Sequence, residues 1–174
     1  MDVIFAKIIL EKEEGRIITR RDLIKDGFDC EIFVNEFRFV DNMKLQKDNH
    51  IVYIFKQKYN NLEYMFYDCT LLTSINLSNF NTNNVTKMAS MFYNCSSLSS
   101  INLENFNTNN VTDIHSMFEG CSSLTSLNID NFNCEKIKKI EQIKNMFKDC
   151  KSLKIENVSY KYLNIRNQLL IDLK

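Results

Sequence analysis

The chain has 174 residues, 44% of them apolar, with 22 basic and 22 acidic side chains and neither tryptophan nor proline. That length suits one domain, or a small one joined to a repeat array, and a net charge of zero leaves no overall field to recruit nucleic acid or a membrane surface. No apolar run approaches the ~20 residues of a membrane-spanning helix.

Residues 1–60 read as an N-terminal β-rich capping region. Val3 to Leu10 has strand character, Lys12 to Gly15 is a polar turn, and Arg20 to Lys25 is a helical turn ending near Gly27. Glu31 to Val40 alternates apolar Ile32, Val34, Phe37 and Phe39 with polar residues and bends at Asn35-Glu36. His50 to Lys56 (HIVYIFK) is a strand by its β-branched and aromatic content. Residues 30–60 are therefore expected to form a small sheet over the open end of the segment that follows.

That segment, 61–158, is an internal repeat. Copies span 65–90, 91–116 and 117–145, with a partial fourth at 146–158. Each carries Phe-x-x-Cys-x-x-Leu-x-x-Ile/Leu-x-Leu/Ile: Phe66, Cys69, Leu72, Ile75 and Leu77 in the first, for example. The alternation at 74–78 predicts a half-buried strand with Ile75 and Leu77 inward and Ser74, Asn76 and Ser78 outward. Val85, Met88, Phe92 and Cys95 have helical spacing, so 85–93 is expected to be a short helix capped by Asn84. One strand and one helix cannot bury an apolar stripe alone. Stacked copies can, with parallel strands ~4.8 Å apart and identical side chains in columns. In the third copy Ile137, Ile140, Ile143 and Phe147 mark the buried stripe of a longer basic helix. Residues 159–174 read as a C-terminal capping helix, amphipathic through Ile165, Leu169 and Leu173 and capped by Asn164.

This frame resembles the BspA-type leucine-rich repeats, a branch of the leucine-rich-repeat superfamily. The marks are the Met-Phe-x-x-Cys opening, the Cys-x-x-Leu-x-x-Ile-x-Leu strand and the Phe-Asn-Thr-Asn-Asn-Val-Thr run at 80–86 and 106–112. The resemblance covers about residues 61–158. It implies an α/β fold, a short leucine-rich-repeat solenoid with parallel in-register strands on one face and short helices on the other. The asparagine of the general leucine-rich consensus falls on Phe80, Phe106 and Phe132, so an asparagine ladder at that position is absent.

Few residues suggest chemistry. Cys69, Cys95, Cys121 and Cys150 lie a repeat apart at inward frame positions, and no C-x-x-C pair suits zinc. They read as buried, reduced thiols, while Cys30 and Cys134 have no assigned place. His115 takes the place of Ala89 and pairs with no nucleophile. No phosphate-cradling loop, calcium loop or dinucleotide fingerprint occurs. Hence no enzyme activity, cofactor or metal is expected. The lysines at 136–154 read as the solvated face of a helix.

What remains is the outward strand face: Ser74, Ser100 and Ser126; Asn76, Asn102 and Asn128; Ser78, Glu104 and Asp130. In leucine-rich repeats this is where partners dock. The resemblance thus implies a non-enzymatic protein–protein interaction module, with another protein as partner and no nucleic acid. The alternative it implies is a cell-surface, adhesin-type protein binding host or matrix. Charge allows self-association as well: residues 61–133 hold six acids and one base, and 134–174 ten bases and five acids. The start of the chain has Lys7 within its apolar run and no small-residue cleavage site, which reads as cytoplasmic. Of five Asn-x-Ser/Thr sites several fall inside expected strands or against the core and point the same way, since a glycan would not fit there. Removal of a leader would instead suit the cell surface.

Overall fold

A computed structural model describes residues 2–8, 30–34, 37–38, 49–55 and 58–173. Its strands are β1 (Asp2–Ile8), β2 (Cys30–Val34), β3 (Phe37–Arg38), β4 (Asn49–Phe55), β5 (Leu72–Asn76), β6 (Ser100–Asn102), β7 (Leu127–Ile129) and β8 (Val158–Tyr160). The α-helix α1 (Leu163–Asp172) follows β8.

The repeat places equivalent residues of successive copies side by side, and backbone hydrogen bonds join them along two lines. The first is the strand line. β5 and β6 pair in parallel with Ser74 opposite Ser100, Ile75 opposite Ile101 and Asn76 opposite Asn102. β7 and β8 pair in parallel with Leu127 opposite Val158. Among the described residues no strand pairing joins β6 to β7, so the line is divided into two sheets. The strand of the fourth copy, Val158–Tyr160, also lies later than the repeat frame implies. A 3₁₀ turn at Ile155–Asn157 takes up chain first, because the fourth copy has lost the alternating frame.

The second line replaces the expected helices. Residues 85–93 form successive tight turns in which Val85, Met91, Tyr93 and Cys95 donate to the carbonyls three residues back. Other N–H groups leave the copy. Leu62, Tyr64, Phe66 and Asp68 donate to Lys87, Ala89, Met91 and Tyr93; Met88, Ser90, Phe92 and Asn94 donate to Asp113, His115, Met117 and Glu119. The pattern recurs from Ile114, Ser116, Phe118 and Gly120 to Gln142, Lys144, Met146 and Lys148. A helix cannot form here because two residues per copy have positive φ: Tyr64, Ser90, Ser116 and Asn145, then Asp68, Asn94, Gly120 and Asp149. Left-handed backbone breaks a right-handed helix at once. Apolar spacing of three and four residues fits a run of three-residue turns as well as a helix, and that ambiguity accounts for the misreading. The longer basic helix of the third copy is likewise absent. Only Ile140–Gln142 is 3₁₀, and Ile140 is 57% exposed rather than buried.

Within the copies, Phe66, Phe92, Phe118 and Phe147 stack nearly parallel, with centroids 5.5, 5.7 and 6.2 Å apart. Phe106 and Phe132 stack at 6.2 Å in a second column. Leucines, methionines and cysteines fill the space between, all buried.

At the N-terminal side the strand order is β3-β2-β4-β1-β5-β6. The strand against the first repeat is β1, antiparallel to both β5 and β4. The expected cover was the 30–60 sheet; β4 and β2 instead lie one and two strands further out. The turns expected at 12–15, 20–25 and 35–36 lie outside the described residues.

Helix α1 begins at Tyr162 as cap, not Asn164, whose side chain instead accepts from the N–H of Ile165. It buries Ile165, Gln168 and Leu169. Its last turn completes the turn ladder. Phe147 has no fifth copy to donate to, and its N–H is accepted by Asp172 Oδ2 at 2.9 Å.

Candidate functional site

The outward strand face is built by asparagines. The Oδ1 atoms of Asn76, Asn102 and Asn128 accept from the N–H groups of Ser78, Glu104 and Asp130 at 3.0, 3.0 and 3.1 Å. Each is an Asx turn, in which a short amide side chain closes a turn on its own backbone. The turn ends the strand and fixes the residue at the third column. Register then brings Ser74 beside Ser100 and Asn76 beside Asn102. Ser126, Asn128 and Asp130 stand across the interruption between β6 and β7. All nine residues reach solvent, with Ser74 and Ser78 half-buried and the rest exposed.

The interruption leaves a groove of about 460 Å³ lined by Ile101, Asn102, Leu103, Glu104, Asn128, Asp130 and Asn131. Asn131 spans it. Its amide nitrogen lies within hydrogen-bond distance of the carbonyls of Leu103, Glu104 and Phe106, and its two hydrogens are shared among them, as Asn105 donates to the carbonyl of Ser78 one copy earlier. Asp130 accepts from Ser159 Oγ at 2.6 Å. The described ion pairs are Lys87–Glu63, His115–Asp113 and Lys148–Glu119. Glu104 and Asp130 are in none of them, so the groove has two exposed acids without a cation.

Away from this face, the thiols serve the interior. Cys95, Cys121 and Cys150 donate from Sγ to the carbonyls of Phe66, Phe92 and Phe118 at 3.1, 3.2 and 3.0 Å. Burial pushes the Cys95 and Cys121 thiols well above the ordinary cysteine range, and pushes Cys134 and Cys150 up to about 12. Cys69, Cys95, Cys121, Cys134 and Cys150 are all buried and free. Cys134 now has a place: it stands where Thr82 and Thr108 stand in the earlier copies. Those threonines bond reciprocally to the next copy. Each Oγ1 donates to the carbonyl, and accepts from the N–H, of Asn107 or Asn133. His115 Nδ1 lies 2.8 Å from Asp113 Oδ1 on a half-buried part of the turn ladder.

One group of surface residues escaped the sequence reading. Tyr67 and Tyr93 stack with centroids 4.8 Å apart and planes 4° from parallel, and Tyr64 meets Tyr67 edge-on at 5.7 Å. Tyr64 and Tyr67 are 48% and 37% exposed. The signal was present in the Met-Phe-Tyr triplets at 65–67 and 91–93, where tyrosine follows the inward phenylalanine.

A family described as "Mycoplasma protein of unknown function, DUF285" matches residues 39–169. No curated protein and no solved structure matches the chain. Among the described residues no helix is long and apolar enough to cross a membrane.

Proposed function

The chain belongs to that family, and we propose that it is a BspA-like, leucine-rich-repeat type module that binds another protein and has no enzymatic role. The repeats would act as a short solenoid that displays the strand face, between the N-terminal strands and α1 as caps. The carrying observation is the acidic groove between β6 and β7, where Glu104 and Asp130 stand exposed without a cation partner among the described residues, on a surface otherwise of serine and asparagine. Such a local charge sets encounter rate and partner choice more than raw affinity, so a partner with a basic patch fits it.

The test is a comparison of three baits in capture from the native cell: the unaltered protein, Glu104→Lys with Asp130→Lys, and Lys138→Glu with Lys139→Glu. Exposed charge changes usually alter stability by no more than ~0.5 kcal/mol, so all three should fold. A protein held by the first and third baits and lost from the second supports the reading. Purified, that protein should bind the Glu104/Asp130 variant more slowly, most visibly at low salt. Loss only from the lysine variant would move the interface to the basic segment, and retention by all three would exclude both surfaces.

A further inference from the structure

Tyr64 occupies a costly position. Its φ of 61° is left-handed, and the equivalent residues of later copies are Ser90, Ser116 and Asn145. Small polar residues tolerate that backbone; a bulky aromatic there is an outlier. The strain is not offset by burial, since the ring is 48% exposed. What the ring does is meet Tyr67 edge-on and widen the Tyr67–Tyr93 stack into a three-ring surface. Strain kept at a surface residue points toward function.

Beside the rings lies Asp68. Its N–H donates to the carbonyl of Tyr93 at 2.7 Å, and its Oδ1 accepts from Asn94 Nδ2 at 2.6 Å. The carboxylate is thereby fixed. It has no ion-pair partner among the described residues, and its Oδ2 accepts no hydrogen bond from them. Partial burial, and then Tyr93, Asp68, Tyr64 and Glu119, hold the Tyr67 phenol above its ordinary range. Among these neighbours the carboxylates of Asp68 and Glu119, rather than the neutral phenols, favour an approaching cation. Residues 61–133 carry six acids and one base.

We propose that Tyr64, Tyr67, Tyr93 and Asp68 form a second docking surface, which receives an arginine side chain from a basic segment of a partner protein. The planar guanidinium can stack on an aromatic ring while an N–H edge meets a carboxylate, a pairing that lysine's ammonium does not reproduce. This surface lies on the turn ladder and is independent of the groove between β6 and β7.

The experiment titrates the full chain with a capped peptide of alternating arginine and glycine, and with its lysine counterpart, following tyrosine ring signals by NMR and affinity by calorimetry. The arginine peptide should shift the rings of Tyr67 and Tyr93 and bind several-fold more tightly than the lysine one. Tyr67→Ala with Tyr93→Ala should lose about tenfold in affinity, a ~1.4 kcal/mol effect, while the corresponding phenylalanine pair should stay near the original. Tyr64→Ser, which installs the residue that closes the first and second copies, should fold at least as well and bind more weakly. Asp68→Asn should weaken binding chiefly at low salt. Glu104→Lys with Asp130→Lys should leave the ring shifts intact, which separates this surface from the groove. Equal affinity for both peptides, or binding that survives loss of the rings, would overturn the proposal. So would a neutral oligosaccharide shifting the same rings more strongly than the arginine peptide. Self-association abolished by Arg166→Ala would move the occupant to a second copy and overturn it too.

Discussion

At the scale of single residues, the interior depends on columns of like side chains. Phe92 has a parallel ring on each side, Phe66 and Phe118, whereas among the described residues Phe147 has a stacked ring only on the Phe118 side. Phe92→Ala should cost roughly 3–5 kcal/mol, a large part of the ~5–15 kcal/mol typical of a whole domain. Phe147→Ala should cost less, because the end of a column loses one stacked neighbour rather than two. Urea melts giving equal losses at both sites would refute the column account. The thiols make a related prediction. Thiolate is the reactive form, and burial holds Cys95, Cys121, Cys134 and Cys150 far from it. These four should label with a thiol reagent only as the protein unfolds, and labelling at the rate of a free peptide in the native state would be the wrong result. The inward place of the frame cysteines was legible from spacing. Their hydrogen bonds to the phenylalanine carbonyls were not, since these run from one copy to the one before it.

At the scale of the element, the repeat is joined by two backbone lines and by side chains that patch them. Thr108 is buried and exchanges two hydrogen bonds with the backbone of Asn133, at 3.3 Å as donor and 2.6 Å as acceptor. Thr108→Val keeps the shape and removes both. The N–H and carbonyl of Asn133 then lose their partner, at about 1–3 kcal/mol. Thr108→Ser should recover most of that loss in the same denaturant series, and a valine variant as stable as the original would show the pair to be dispensable. The strands of the first two copies could be read from polar–apolar alternation. The turn segments could not. Val85, Met88, Phe92 and Cys95 are inward as the spacing implies, but the left-handed residues Ser90 and Asn94 turn the chain so that its N–H groups face the next copy. Neither residue carries the glycine signal that marks positive φ most clearly; among the described residues only Gly120, at φ 78°, does so.

At the scale of the whole molecule, the ends decide where the ladders stop. Asp172 provides at the last copy the acceptor that a further copy would have supplied. Asp172→Ala should expose the Phe147 N–H, loosen α1 and lower the melting temperature. Burial holds the Asp172 carboxyl above its ordinary 3.8, although the N–H of Phe147 and the amide of Gln168 pull it back. The folded state therefore keeps its proton more tightly than the unfolded state. This contribution to stability is fully present below pH 3.8 and is lost as pH rises through the folded value. Asp172→Asn should flatten that part of the stability curve while keeping an acceptor for Phe147. A curve unchanged by the substitution would show that Asp172 does not titrate in this way.

The sequence by itself determined the repeat, its phase, the inward columns and the outward columns of Ser, Asn and acid. Each of these follows from which positions recur, and recurrence is visible in one dimension. Only the tertiary structure decided that the second line is a turn ladder, that β1 rather than 30–60 pairs with the first copy, and that the strand line opens between β6 and β7. It alone brought Tyr64, Tyr67, Tyr93 and Asp68 to one surface. Hydrogen-bond partners 25 to 32 residues apart are chosen by backbone direction. That direction depends on a few left-handed residues and on which end-strand finds a free edge, and periodicity encodes neither.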